Sequence, residues 1–457
     1  MFILSILKAH HTVRKFIHTE NESKKGTIMK KLLALLLGLM MLSSFTLSAH
    51  ADETLSIGCE DAYAIEVGFL RQERDSAWDD YCRTMLSDPV AQREITDCAM
   101  TYGDAVMRYS VTVKGDQPEG GYPLYIALHG GGSADTPDSN DEQWEDMMSY
   151  YCDELDCGIY IAVRGVRDTW DTHFNPESYP LYDRLIEYAI LTLNVDPNRV
   201  YLEGFSAGGD GVYAISPRMA DRFAAVNMSS GHPNGVSLNN LYNLPIQLQA
   251  GEYDDEFERN TVTAEYGMKL DELGQEYGGY EHRTLIHYDC GHNYEDNSSD
   301  PIPVMHDSAQ WLMNGDRSTE DVDSFPADYM DQFVRNPIPE QVIWDLSTRA
   351  PLRETESFYY LRAPYDTDTG LLSAALDRDE NTVSINAQGL DGPFSLLLNE
   401  EMVDFSQPIR LMVNEELTVL SVTPDRQVLF ETTYDRGDPC YQFEAEIHFD
   451  AVGNVIS

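Results

Sequence analysis

Basic residues are scarce in this 457-residue chain: 31 lysines and arginines stand against 78 aspartates and glutamates, for a formal charge of −47. That balance argues against a nucleic-acid binder or a protein of anionic membrane surfaces, because both need basic patches to neutralise phosphates. Long apolar runs are missing too. The stretch 32–42 is too short to span a bilayer, and no later segment reaches the ~20 apolar residues that a span requires. No CxxC pair and no histidine-rich spacing suggests a metal site, so neither a metal nor another cofactor is expected. What remains, 42% hydrophobic and 24% charged residues with 31 glycines, is ordinary globular composition.

Residues 29–51 read as a secretory signal peptide: Lys30 and Lys31 form the charged start, 32–42 the apolar stretch, and Ala49-His50-Ala51 the cleavage site. Maturation is expected before Asp52, and 1–28 reads as an over-extended start ahead of Met29. A secreted or periplasmic protein follows. Taking residues 1–51 away removes seven basic and two acidic residues and leaves 24 bases against 76 acids, with Lys114 and Lys269 as the remaining lysines. Such acidity is tolerable where salt screens it, so a saline setting is expected. Seven cysteines in an exported chain suggest up to three disulfides and a leftover thiol, their connectivity open.

The apolar patterning divides the chain. Residues 52–104 lack strand-like alternation and carry helical spacing at Tyr63, Val67, Leu70 and Trp78, which suggests a helical N-terminal extension. Within 105–314, β-rich runs at 109–113, 124–128, 159–163, 200–203, 224–228, 246–249 and 284–288 alternate with helical stretches at 141–155, 179–193, 207–215, 260–273 and 305–312. That alternation predicts an α/β domain with a mostly parallel sheet. A connector, 315–339, leads to 340–457, which reads as strands only (341–346, 357–361, 382–387, 394–398, 409–413, 417–422, 427–432 and 443–449) and predicts a small all-β domain. Phe358, Tyr359 and Tyr360 in that tail are expected to be core.

Gly204-Phe205-Ser206-Ala207-Gly208 fits the G-x-S-x-G elbow, with a strand before it and a small-residue helix start after it. A serine in such a turn is exposed at the sheet edge, with a helix N-terminus behind it to favour negative charge. Upstream, Leu128-His129-Gly130-Gly131-Gly132 ends another strand. It predicts an oxyanion hole from the backbone N–H groups of Gly130, Gly131 and Gly132 together with Ala207. For the acid, Asp254 follows the run 246–249, with Asp255 and Glu256 as competitors. For the base, His292 lies in a glycine-containing loop after 284–288, giving the order Ser, Asp, His, whereas His282 and His287 fall before or within the strand and His306 opens a helix. Trp170, His173 and His232 fall in loops at the same edge and are candidate substrate-pocket residues, against the alternative of loop packing and satisfied histidines.

At these residues the chain resembles the secreted α/β-hydrolases of the poly(3-hydroxyalkanoate) depolymerase and feruloyl-esterase group, also described as prolyl-oligopeptidase-like. The resemblance covers roughly residues 105–315 and is strongest at 122–132, at 199–231 with Asp221-Arg222-Phe223-Ala224-Ala225-Val226, at 251–254 and at Gly291-His292. A narrower set of bacterial secreted hydrolases with a β-rich tail is similar also at 209–213, at Gly231-His232-Pro233-Asn234 and at Arg335-Asn336-Pro337. The resemblance implies an α/β-hydrolase fold with Ser206 as nucleophile, His292 as general base and acid, and Asp254 as orienting carboxylate. It implies a serine esterase acting on an ester substrate such as acylated polysaccharide, hydroxycinnamate or polyester. A prolyl-oligopeptidase-like peptidase and a non-catalytic glycan-binding protein are the competing readings. Only 47 residues separate Ser206 from Asp254, which leaves no room for a bulky lid and makes a long-chain lipase less fitting.

Overall fold

The computed structural model describes residues 54–131, 137–287, 289–293, 304–305, 319–320 and 325–456. The leader, Gly132, His306 and most of the expected helix 305–312 lie outside them. Ten strands form the central sheet: β1 (Ala99–Tyr102), β2 (Ala105–Lys114), β3 (Tyr122–Leu128), β4 (Gly158–Val163), β5 (Val195–Phe205), β6 (Ala225–Ser229), β7 (Ile246–Gly251), β8 (His282–His287), β9 (Val304–Met305) and β10 (Thr319–Glu320). Their order is β10-β9-β8-β7-β6-β5-β3-β4-β2-β1. Neighbours from β4 through β8 run parallel, and the outer pairs are antiparallel. Met305, expected in a helix, instead pairs with Ile286 across β9 and β8.

Every residue of β4 and β7 is buried, as continuous apolar runs in a parallel sheet covered on both faces require. Side chains alternate along β3. Leu124, Ile126 and Leu128 share a core with Leu181 and Leu185 of the helix Ser178–Leu193 and Val212 of the helix Ala207–Ile215. Tyr125 and Ala127 turn to the opposite face, where Met147 of the helix Pro137–Tyr150 covers them. This strand order, with the serine turn at the end of β5, is an α/β-hydrolase fold.

Two further sheets occupy the C-terminal region. One is six-stranded, in the order Leu55–Ile57, Glu416–Val422, Ile409–Val413, Thr382–Gln388, Leu371–Asp377, Gln341–Asp345; the other is five-stranded, in the order Ser357–Phe358, Leu361–Arg362, Phe394–Leu398, Ala445–Phe449, Val455–Ile456. Phe358, Tyr359 and Tyr360 are buried in the core. Several expectations are corrected here. The extension is not purely helical: helices Leu70–Ser87 and Pro89–Asp97 are flanked by β1 and by Leu55–Ile57, which pairs in parallel with Glu416–Val422. Residues 427–432 are not a strand but lie in the helix Arg426–Arg436. Asp425 caps it by accepting from Gln427 N, Gly437 ends it in the left-handed region, and Leu429, Thr432, Thr433 and Arg436 are buried at helical spacing. Leu371–Asp377, rich in leucine and alanine, is a strand because it pairs on both sides, with Gln341–Asp345 and Thr382–Gln388, and this overrides its helical propensity.

The expected disulfides are absent: all seven cysteines are free thiols. Cys59, Cys98 and Cys157 each face a separate backbone carbonyl, and the Cys440 sulfur accepts from Asn198 Nδ2 at 3.4 Å.

Candidate active site

The elbow is built by close approach. A Cβ on Gly208 would lie 2.0 Å from the carbonyl oxygen of Leu128, and one on Gly204 would lie 2.4 Å from that of Gly208, so only glycine lets β5, β3 and the following helix meet. Between them Ser206 adopts φ 57°, ψ −117°, a left-handed conformation that costs a non-glycine residue about 1–3 kcal/mol. The turn is held by Ser206 N–H donating to the Ser229 carbonyl of β6 at 2.9 Å and by Asp210 N–H donating to the Ser206 carbonyl at 3.0 Å.

Past the end of β7, Asp254 sits in a tight turn, its N–H donating to the Gly251 carbonyl at 3.1 Å. The loop after β8 crosses directly over that turn. A Cβ on Gly251 would fall 2.0 Å from the Gly291 oxygen, and Tyr253 N–H donates to the Cys290 carbonyl at 2.8 Å. The crossing delivers His292, whose Nδ1 lies 2.9 Å from Asp254 Oδ2 and whose Nε2 lies 3.0 Å from Ser206 Oγ. A carboxylate only accepts, so the proton belongs on Nδ1 and Nε2 accepts from the serine hydroxyl. Asp254 is buried, whereas Asp255 and Glu256 are exposed, which separates the three acids that the sequence leaves in competition. Arg259 Nη1 stands 3.8 Å from Asp254 Oδ1, a cationic neighbour with no signal in the sequence. His287 is turned into the interior, with its Nε2 2.9 Å from Gln249 Oε1, and His282 pairs with Asp271.

Gly130 and Gly131 come off the end of β3 beside the elbow. A Cβ on Gly130 would stand 3.4 Å from that of Ser206, and Gly131 holds φ 92°. Ala207 opens the helix behind the serine. A cleft of about 360 Å³ adjoins them, lined by Gly130, Gln143, Asp146, Met147, Ser149, Tyr150, Phe205 and Asn293; the Phe205 ring lies 5.1 Å from that of His292.

Of the three candidate pocket residues, one is overturned. His173 is fully buried and cannot meet a substrate. Its Nε2 donates to the His129 carbonyl at 2.9 Å, its ring lies 4.5 Å from the His129 ring, and His129 Nε2 in turn accepts from Gly165 N–H at 3.1 Å. The pair braces the strand end from which Gly130 and Gly131 leave. Trp170 is 61% exposed and set against Phe174, and it is not among the residues that line this cleft. His232 sits in a turn tied to the helix after the serine, its N–H donating to Asp210 Oδ1 at 2.6 Å and its Nδ1 accepting from Asn234 N–H at 3.1 Å.

No family model and no curated protein matches the chain. Solved structures are similar in part. A thermostable esterase is 20% identical over 53% of this chain, with a TM-score of 0.35, and the chain spans 64% of that esterase's length. An esterase of Pyrobaculum calidifontis is 15% identical over 50% of this chain and 86% of its own, at a TM-score of 0.30. Esterase 2 of Thermogutta terrifontis is 13% identical over 41% and 79%, at 0.29. At these scores none of them bears on the chemistry of the chain.

The braced histidines carry a pH signature. Burial pushes His129 down to about 4 and His173 well below the ordinary histidine value of about 6.5. The folded protein keeps both neutral while the unfolded chain protonates them, so the unfolded state binds more protons between about 6.5 and about 4. Stability is therefore expected to fall as pH falls through that window, and His173→Asn should flatten this stretch of a plot of Tm against pH. A variant curve parallel to that of the wild type would contradict the assignment.

Proposed function

We propose that this chain is a secreted serine esterase in which Ser206 is the nucleophile, His292 the general base and acid, and Asp254 the carboxylate that orients the imidazole. The observation that carries the reading is the unbroken line from Asp254 Oδ2 through His292 to Ser206 Oγ, with steps of 2.9 and 3.0 Å, ending on a serine in a left-handed turn. In this reading Nε2 takes the hydroxyl proton as Oγ attacks the acyl carbon. Asp254 stabilises the imidazolium, which then protonates the leaving alcohol, and water repeats the cycle on the acyl-enzyme. Backbone N–H groups of Gly130, Gly131 and Ala207 hold the oxyanion, each donor contributing about 3 kcal/mol to transition-state stabilisation.

Acylated polysaccharide, hydroxycinnamate and polyester are the substrates proposed. Support comes from the cleft beside Ser206, whose lining mixes aromatic rings (Tyr150, Phe205) with hydrogen-bonding groups (Gln143, Asp146, Ser149, Asn293) and suits an acyl or alcohol group that is neither purely apolar nor anionic. The test is a panel of short acyl esters, feruloyl esters, a polyester and peptide amides. Turnover of esters without turnover of amides is expected; amide cleavage at comparable kcat/KM would favour the peptidase reading, and silence on the whole panel the non-catalytic one.

Export through the 29–51 leader, and a saline working environment, belong to the same proposal. With 24 bases against 76 acids after residue 51, carboxylate repulsion is strong at low ionic strength and screened within ~3 Å at 1 M salt. Tm is expected to rise from millimolar to about molar sodium chloride by more than it does in a neutral osmolyte at matched water activity. Equal rises in both would contradict the saline reading.

A further inference from the structure

We infer that Ser230 is a positioning residue for the Ser206–His292 pair, an inference that rests on the esterase reading of the site. Ser230 directly follows β6, is fully buried, and holds φ 50°, in the left-handed region that serine rarely occupies. Where backbone shape alone matters in that region, glycine or asparagine is the fitting residue. The serine is explained by what its hydroxyl does: Oγ donates to the His292 main-chain carbonyl at 3.1 Å, across 62 residues of sequence.

The residues around it give that bond its meaning. Ser230 N–H donates to the Gln249 carbonyl of β7 at 2.8 Å, so the donor is anchored to the sheet. One position earlier, the Ser229 carbonyl accepts the N–H of Ser206 at 2.9 Å. Two consecutive residues at the end of one strand thus hold the nucleophile through main chain and the base through a side chain, and together they set the 3.0 Å between Ser206 Oγ and His292 Nε2. The left-handed turn at Ser230 is what aims Oγ at the histidine loop, and it carries the chain on to Gly231, where a Cβ would fall 2.4 Å from the backbone of Gly209. His292 has its Asp254 contact to hold the ring and the Ser230 contact to hold the main chain. Loss of the second lets the ring drift while leaving substrate contacts in place, which lowers kcat and spares KM.

The test compares Ser230→Gly and Ser230→Ala with the wild type. Glycine adopts φ 50° freely, so Ser230→Gly keeps the fold and removes only the hydroxyl. Three readouts are taken: kcat and KM on the best ester of the panel, the second-order rate of Ser206 labelling by a fluorophosphonate, and the far-downfield proton NMR signal of His292 Nδ1–H. The expected result is a fall in kcat and in labelling rate of about 10- to 100-fold in both variants at unchanged KM, with the Nδ1–H signal broadened by exchange. Wild-type kcat and labelling in Ser230→Gly would overturn the inference, as would a loss seen in Ser230→Ala and absent in Ser230→Gly, which would assign the effect to backbone shape. If the wild-type chain neither labels nor turns over any ester, the esterase reading falls. The positioning inference is then decided by NMR alone: a sharp Nδ1–H signal in Ser230→Gly overturns it and a lost signal supports it.

Discussion

Ester turnover is expected to fall by a factor on the order of 10⁶ when Ser206 is replaced by alanine, with the melting curve unchanged, because the substitution removes the attacking oxygen and nothing that packs. His292→Ala should cost nearly as much, and the double variant little more than either single one, since residues that act as one unit lose their contribution together. Asp254→Asn should cost less, on the order of 10⁴, through loss of the correct imidazole tautomer. Asp255→Asn, at an exposed side chain, should leave kcat near wild type. Steady-state kinetics on one ester measures all five variants. Equal damage from Asp255→Asn and Asp254→Asn would remove Asp254 from the role its 2.9 Å bond to His292 supports.

Asp221→Ala is expected to be the most destabilising single change, about 3–5 kcal/mol in urea unfolding. Asp221 is fully buried at the junction between the central sheet and the C-terminal region. Its Oδ1 accepts from Arg353 Nη1 at 3.2 Å, and Arg436 binds Oδ2. Nearby, Asp438 accepts from Arg335 at 2.8 Å and from Arg222 at 3.3 Å, while Asp183 takes Arg353 Nε at 2.6 Å. Burial alone would raise the Asp221 carboxyl, but Arg353, Arg436 and Arg222 outweigh it and hold the group well below the usual range. Removing this carboxylate leaves the buried Arg436 guanidinium without its ion-pair partner and Arg353 with Asp183 alone, and that uncompensated desolvation is the source of the loss. The same network argues that the tail is no detachable module. Truncation after Pro339 removes Arg353, Arg436 and Asp438 at once, so the shortened chain is expected to be insoluble. An unchanged urea midpoint for Asp221→Ala, or a soluble, folded truncation, would contradict this.

Local signals made the candidate site legible. A strand ending in G-x-S-x-G, a second ending in His-Gly-Gly and an acid a few residues past a third apolar run each depend on a short window, and the parallel sheet places the ends of those windows on one edge. Direction was not legible. His173 lies in the loop region where a pocket residue was expected, but only three-dimensional packing turns its ring inward onto the His129 carbonyl. In the tail, Val428 and Phe430 imitate a strand while the decisive signals were the caps, Asp425 and Gly437, on either side. The ion network was invisible for a different reason: Asp221 and Arg436 are 215 residues apart, and no periodicity connects them. Ser230 was hidden in the same way, since its partner carbonyl lies on another loop and the left-handed position is a serine rather than a glycine.

The central claim is that Ser206 Oγ is the activated nucleophile, and the most direct measurement is reaction of the protein with a fluorophosphonate followed by peptide mapping of the adduct. The account expects one adduct, on Ser206, formed at a rate that collapses in His292→Ala. An adduct on any other serine, or an active esterase that forms none on Ser206, would contradict it.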